Sequence, residues 1–239
     1  MPGGELFDIV ADKGHLSEAQ ASQVVREIIM ACEYLHSINI VHCDIKPENI
    51  LCKTSNWPLD VKLCDFGLSD YIDPARVAEL GHDNTLTAVI GTPGYIAPEV
   101  VKREPYGRAV DMWACGVVLY VMLSGRLPFY GRTDVECLRR IANGEYSFPD
   151  REWKDISDHA ISLVKSLLQV NPTKRLTARA ALQHRWLATP EHNSHILLSN
   201  NLRDLHSSRR KFRKAVMGIL TVHRMELLRA QTAESGPSP

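Results

Sequence analysis

The chain has 239 residues, 44% of them hydrophobic and 23% charged, which supplies a core and excludes a disordered polyelectrolyte. Lys and Arg total 28, as do Asp and Glu, yet the balance is uneven: residues 203–225 carry +6 and the remainder −6. An acidic body with one basic arm excludes a wholly basic nucleic-acid binder and directs the arm to an acidic surface, its own or a partner's.

In chain order, Ser17-x-x-Gln20 fits a capping box, and Val24, Val25, Ile28, Ile29, Cys32 and Leu35 keep helical spacing to about Ser37. Short β-like runs follow at Ile40-Val41, Asn49 to Lys53 and Asp60 to Cys64, the last two joined by a turn at Ser55-Asn56-Trp57-Pro58. Residues 65–99, punctuated by Pro74, Gly81, Gly91, Pro93, Gly94 and Pro98, read as a long ordered loop. Asp111 to Ser124 is apolar on all sides and predicts a buried helix. Asp134 to Asn143, Ser157 to Gln169 and Thr177 to Gln183 are further helices, with Ser157 and Thr177 as N-caps. Residues 188–202 read as a polar linker, 203–230 as a basic amphipathic helix, and 231–239 as a fraying tail. The expected fold is mainly α, with a short β-hairpin region near residues 40–64. No apolar run reaches the ~18–20 residues of a membrane helix. No basic stretch followed by an apolar one marks a signal peptide at the N-terminus. Cysteines 32, 43, 52, 64, 115 and 137 show no CxxC spacing and read as free thiols of a reducing compartment, the cytoplasm, with the nucleus left open.

Three strings carry chemistry: His42-Cys43-Asp44-Ile45-Lys46-Pro47-Glu48-Asn49, Asp65-Phe66-Gly67 and Ala97-Pro98-Glu99. An Asp-Phe-Gly tripeptide alone is weak. The three in this order, with Gly91-Thr92-Pro93-Gly94-Tyr95 between the last two, match the protein-kinase signature. Moving a γ-phosphoryl group is mostly positioning and charge neutralisation. Asp44 is expected to take the substrate hydroxyl's proton and Lys46 to stabilise the charge that develops. Asn49 and Asp65 supply the hard oxygens that Mg²⁺ prefers. His42 reads as a packed support for the loop.

From Met1 to about Leu187 the chain resembles the C-terminal lobe of a Ser/Thr protein kinase of the calcium/calmodulin-dependent group. The resemblance implies a kinase-like large lobe, use of ATP and Mg²⁺, and protein substrates phosphorylated on Ser or Thr. It implies that Glu99 pairs with Arg175, that Asp111 caps the buried helix and braces the catalytic loop, and that Thr92 shapes the site for the residue after the target hydroxyl. Met1 falls on the inter-lobe hinge, Leu51 on the floor of the adenine site, and Cys64 beside the nucleotide, with a packing role as the alternative for Cys64. Glu5 and Glu48 match positions that pair with arginines upstream of the target, Glu5 also matching a ribose contact; solvated carboxylates remain the alternative for both. Cys43 replaces the usual Arg of His-Arg-Asp and reads as an inert small residue, so activation through Thr85 or Thr87 is less expected.

The sequence holds no Gly-x-Gly-x-x-Gly loop after a strand and no Val-Ala-x-Lys strand. The expectation is therefore a large lobe without its small lobe, with the surface around Leu6, Ile40, Leu51 and Cys64 left exposed. In the basic arm, Phe212, Val216, Ile219 and Met225 fall on one helical face with bases on the other, a helix-in-groove pattern of the calmodulin-target kind. A membrane-surface helix or a helix packed on the lobe are its alternatives. A catalytically silent module that binds calmodulin or protein partners is the competing reading of the whole chain.

Overall fold

The computed structural model describes residues 2–92, 94–198 and 202. The Ser17 hydroxyl accepts from the Gln20 amide at 3.2 Å and the Gln20 side chain accepts from the Ser17 amide at 3.1 Å, opening helix α2, Glu18–Ser37. Its apolar face packs on a second long helix, Ala109–Ser124, in which every residue from Val110 onward is buried. An isotropically apolar helix has no face to give to water and takes the centre of the lobe. The Sγ atoms of Cys32 and Cys115 lie 3.7 Å apart where the two helices meet, and both thiols are free.

The central helix of this pair is α5 (Ala109–Ser124), and before it in the chain stand α1 (Leu6–Lys13), α3 (Pro74–Leu80) and α4 (Pro98–Val101). After it come α6 (Asp134–Asn143), α7 (Asp150–Trp153), α8 (Asp158–Leu167), α9 (Ala178–Leu182) and α10 (Arg185–Ala188). The hydroxyls of Ser157 and Thr177 each accept from an amide of the first turn and cap α8 and α9. Two small antiparallel sheets sit at one edge. β1 (Gly4–Glu5), β3 (Ile50–Cys52) and β4 (Val61–Leu63) form one, in the order β1-β3-β4; β2 (Ile40–Val41) and β5 (Asp70–Tyr71) form the other. No helix among the described residues is long and apolar enough to cross a membrane.

Four expectations are corrected. The 65–99 stretch is not all loop: it carries β5 and α3, the latter capped by the Asp73 carboxylate on the Ala75 amide at 2.9 Å, started by Pro74 and ended at Gly81. Residues read as loop punctuation are here helix punctuation. Leu6 is 0% exposed, because it opens α1, whose Leu6, Phe7, Val10 and Ala11 enter the core; Ile40, Leu51 and Cys64 are half-buried rather than open. Asp111 does not cap α5, since Arg108 holds the N-cap position and Asp111 lies in the first turn. The described part of 188–202 is docked, not free. The Ala19 amide donates to Ser194 O at 3.0 Å, Leu198 N to Leu16 O at 2.8 Å and Leu202 N to Gly14 O at 2.8 Å, while Leu198 and Leu202 are buried. The 203–230 helix and the tail lie outside the described residues.

Candidate active site

The loop between β2 and β3 is fixed from beneath by α5. Asp111, fully buried, accepts from the amides of His42 and Cys43 at 2.9 Å each and pairs with His36 Nε2 at 2.9 Å. Two amides on one carboxylate force a tight bend, and Cys43 takes the left-handed conformation, φ 64°. Burial, then the carboxylates of Asp111, Asp70 and Asp44, push the Cys43 thiol well above its ordinary range, so it stays protonated. His42 is buried; its Nδ1 accepts from the Asp44 amide at 3.3 Å, which leaves Nε2–H to donate to Cys64 O at 3.1 Å. The ring also packs on Phe66 with centroids 5.0 Å apart.

This frame presents Asp44, 5% exposed, to three polar partners. Lys46 Nζ lies 2.6 Å from Asp44 Oδ2, and the Thr92 hydroxyl donates to Asp44 Oδ1 at 2.6 Å while accepting from Lys46 Nζ at 2.8 Å. Asn49 Nδ2 donates to Asp44 O at 2.8 Å and Oδ2 at 3.1 Å. Gly91 precedes Thr92 with φ 114°, and a Cβ there would lie 3.2 Å from the Cys43 carbonyl, so the approach of the two segments depends on glycine. Asp44, Lys46, Asn49 and Thr92 thus form one hydrogen-bonded cluster.

Asp65 stands beside it. The Cys64 amide donates to Asn49 O at 2.9 Å, bringing the two strand ends together. Asp65 itself is exposed and left-handed, φ 60°, with Oδ1 accepting from the Gly67 amide at 3.2 Å. With both Nδ2 bonds of Asn49 committed to Asp44, its amide oxygen and the outer oxygen of Asp65 are a hard donor pair of the kind Mg²⁺ takes alongside phosphate oxygens. Among the described residues no group of three or more His, Cys, Asp or Glu side chains forms a self-sufficient metal cage.

Glu5 and Leu51 pair directly across β1 and β3, and burial, then the Asp65 and Glu5 carboxylates, raise the Cys64 thiol, placing these residues at the same sheet edge. Glu48 lies half-buried in the 3-10 turn Pro47–Asn49. Glu99 and Arg175 meet in a buried two-pronged ion pair, Nη1–Oε1 2.7 Å and Nη2–Oε2 2.9 Å, with the guanidinium 5.1 Å from the Trp113 ring centroid. Met1, Phe212, Val216, Ile219 and Met225 lie outside the described residues. Sequence reasoning missed His36 and Arg108. Arg108 donates to His36 O at 3.2 Å, Asn39 Oδ1 at 2.6 Å and Asp83 Oδ2 at 3.0 Å. Neither residue stands in a motif string, and their partners are remote in sequence.

Residues 1–187 match the protein kinase domain family, and the chain belongs to it. Its curated matches are named as myosin light chain and calcium/calmodulin-dependent kinases. It is 43% identical over 194 residues to myosin light chain kinase A of Dictyostelium discoideum, covering 81% of this chain and 63% of that one. It is 42% identical over 186 residues to calcium/calmodulin-dependent protein kinase type 1B of Rattus norvegicus, covering 78% and 52%. With calcium/calmodulin-dependent protein kinase cmkB of Emericella nidulans the figures are 38% over 229 residues, 93% and 55%. The chain spans between about half and two thirds of the length of these curated relatives.

Proposed function

We propose that the chain is the large lobe of an ATP- and Mg²⁺-dependent protein Ser/Thr kinase of the calcium/calmodulin-dependent type. The observation that carries this reading is the closed cluster of Asp44, Lys46, Thr92 and Asn49, built on the residues that the kinase resemblance singles out. Asp44, held by Asn49, accepts the proton of a substrate Ser or Thr hydroxyl and aims its oxygen in line. Lys46, already at Asp44, sets a cation where negative charge develops on the transferring group. Thr92 links the two and borders the residue that follows the target hydroxyl. Asn49 and Asp65 would hold Mg²⁺, which when bound neutralises phosphate oxygens. Glu5, Leu51 and Cys64 line the nucleotide side, and Glu5 and Glu48 attract arginines upstream of the target. In γ-phosphate transfer to a Ser/Thr peptide by the full-length native protein, Asp44→Asn is expected to lower turnover by about 10²–10⁴. Near-normal turnover sinks the assignment.

An exposed apolar face favours a second reading, a catalytically silent module. Met30, Tyr34 and Phe66 are 40%, 66% and 48% exposed around a groove of about 360 Å³ between α2 and β4. A thermal-shift titration of the 239-residue chain with Mg-ATP separates the two: little shift is expected here, where no Gly-x-Gly-x-x-Gly stretch is encoded. A clear shift that Asp65→Ala abolishes overturns the silent reading.

We also propose that residues 203–225 bind Ca²⁺-calmodulin as a helix. Support comes from the +6 charge, the one-faced spacing of Phe212, Val216, Ile219 and Met225, and the calmodulin-dependent relatives. A peptide of residues 203–225 should bind calmodulin at micromolar concentration with calcium and release it on chelation. Equal binding without calcium reduces the effect to charge attraction.

A further inference from the structure

We propose that Asp83 and Arg108 are positioning residues: they form a clasp that holds the 83–92 segment on the lobe and thereby sets Thr92 against Asp44. Helix α3, which leads into this segment, has no fully buried residue and meets the core only through the half-buried Val77, so packing holds it weakly. Fixation begins at Asp83, whose Oδ2 accepts from Arg108 Nη1 at 3.0 Å and from the Arg108 amide at 3.3 Å. The Asp83 carbonyl runs so close to Gly107 that a Cβ there would meet it at 2.5 Å. Leu86 and Tyr106 then exchange both backbone bonds, 3.0 and 2.9 Å, and the Tyr106 hydroxyl donates to Ala88 O at 2.8 Å.

Arg108 is itself anchored on the opposite side. Its Nη2 donates to Asn39 Oδ1 and its Nε to His36 O, both at the C-terminal end of α2. The same His36 pairs through its ring with Asp111, which braces His42 and Cys43. One guanidinium therefore joins the 83–92 segment, the end of α2 and the start of α5, immediately below the loop that carries Asp44. Downstream of the clasp, Gly91 is packed on the Cys43 carbonyl and Thr92 bonds Asp44 and Lys46. A fork with planar, fixed donors suits this three-way junction better than a single ammonium would.

The inference rests on reading Asp44, Lys46 and Thr92 as the transfer site, but its test needs no activity. Amide hydrogen exchange of the 239-residue chain is followed at Leu86, Tyr106 and Tyr95, whose amide bonds Thr92 O at 3.0 Å. Asp83→Ala should speed exchange at all three by about five-fold, the upper end for a part-exposed ion pair, and leave α2 and α5 unchanged. Asp83→Glu, which keeps the anion, should return the rates to near the parent's. Unchanged rates in Asp83→Ala overturn the clasp. Loosening at Leu86 and Tyr106 without Tyr95 overturns its action on Thr92, and equal loosening of α2 and α5 reduces Asp83 to a general stabiliser. A kinase assay that fails while the exchange pattern holds counts against the transfer site alone.

Discussion

The guanidinium of Arg175 donates to both oxygens of Glu99, to Gln169 O at 3.0 Å and to Ala109 O at 2.7 Å, with neither side chain of the pair open to water. A buried pair of this kind adds little over an apolar replacement, but breaking it strands a charge. Glu99→Ala should therefore cost about 3–5 kcal/mol, read from urea midpoints; a loss below about 1 kcal/mol would mean that the backbone acceptors alone satisfy the cation. At this scale, contiguous chemistry was legible. Asp44, Lys46 and Asn49 sit within six residues and announce their joint use. What was not legible is long-range: Arg108 meets Asn39 and His36 at separations of 69 and 72 residues, and no local pattern encodes either meeting. Asp111 accepts from the His42 and Cys43 amides and does not cap α5, because an Asp at a helix start can serve either role and only the fold decides which amides reach it.

Glu18 shows how elements are joined. Though ionisable, it is 1% exposed and accepts from the Ser157 amide at 2.7 Å, the Ser157 hydroxyl at 2.6 Å and Trp186 Nε1 at 2.8 Å. One carboxylate at the start of α2 thus ties the cap of α8 to α10, and two helix N-termini offset its burial. Glu18→Ala should destabilise by about 3 kcal/mol, since each buried donor left unsatisfied costs about 1–3 kcal/mol. Glu18→Gln, which keeps an acceptor, should cost less, and Trp186 fluorescence in denaturant reports both. Equal losses for the two variants would assign the effect to charge rather than to the stranded donors. Long periodic helices were readable here because a buried stripe writes itself into the sequence. Helix α3 wrote none, having no buried face, and α1 spans only Leu6–Lys13, too short for its apolar pairs to stand out.

For the molecule as a whole, burial shapes the response to alkali. It raises the Cys52 thiol from an ordinary 9.0 to about 11, and chiefly burial raises Tyr120 and Tyr146 from 10.0 to about 12. Above pH 9 the unfolded chain sheds protons that the folded chain keeps. Stability is therefore full below pH 9 and falls as pH climbs through 11, at up to about 1.4 kcal/mol per pH unit for each such group. Urea midpoints from pH 8 to 11 should trace that fall, and Cys52→Ala should make it shallower between pH 9 and 11 by that one group's share, the other raised thiols keeping the rest. A flat parent profile would show that these groups ionise equally well in the fold.

The docking of Ser194, Leu198 and Leu202 has a kinetic counterpart. His15 meets the Leu198 carbonyl across 183 residues, and Glu18 reaches Ser157 and Trp186 across 139 and 168. During synthesis the start of α2 is made 139 to 183 residues ahead of these partners and must wait for them. Closure over such separations is slow, because the loop entropy is lost before any contact compensates it. Nascent chains that stop short of residue 186 would keep Glu18 without the Trp186 indole, and those that stop short of 198 would leave the Leu16 carbonyl open. The start of α2 therefore reaches its final contacts only once residues up to Leu198 have been made.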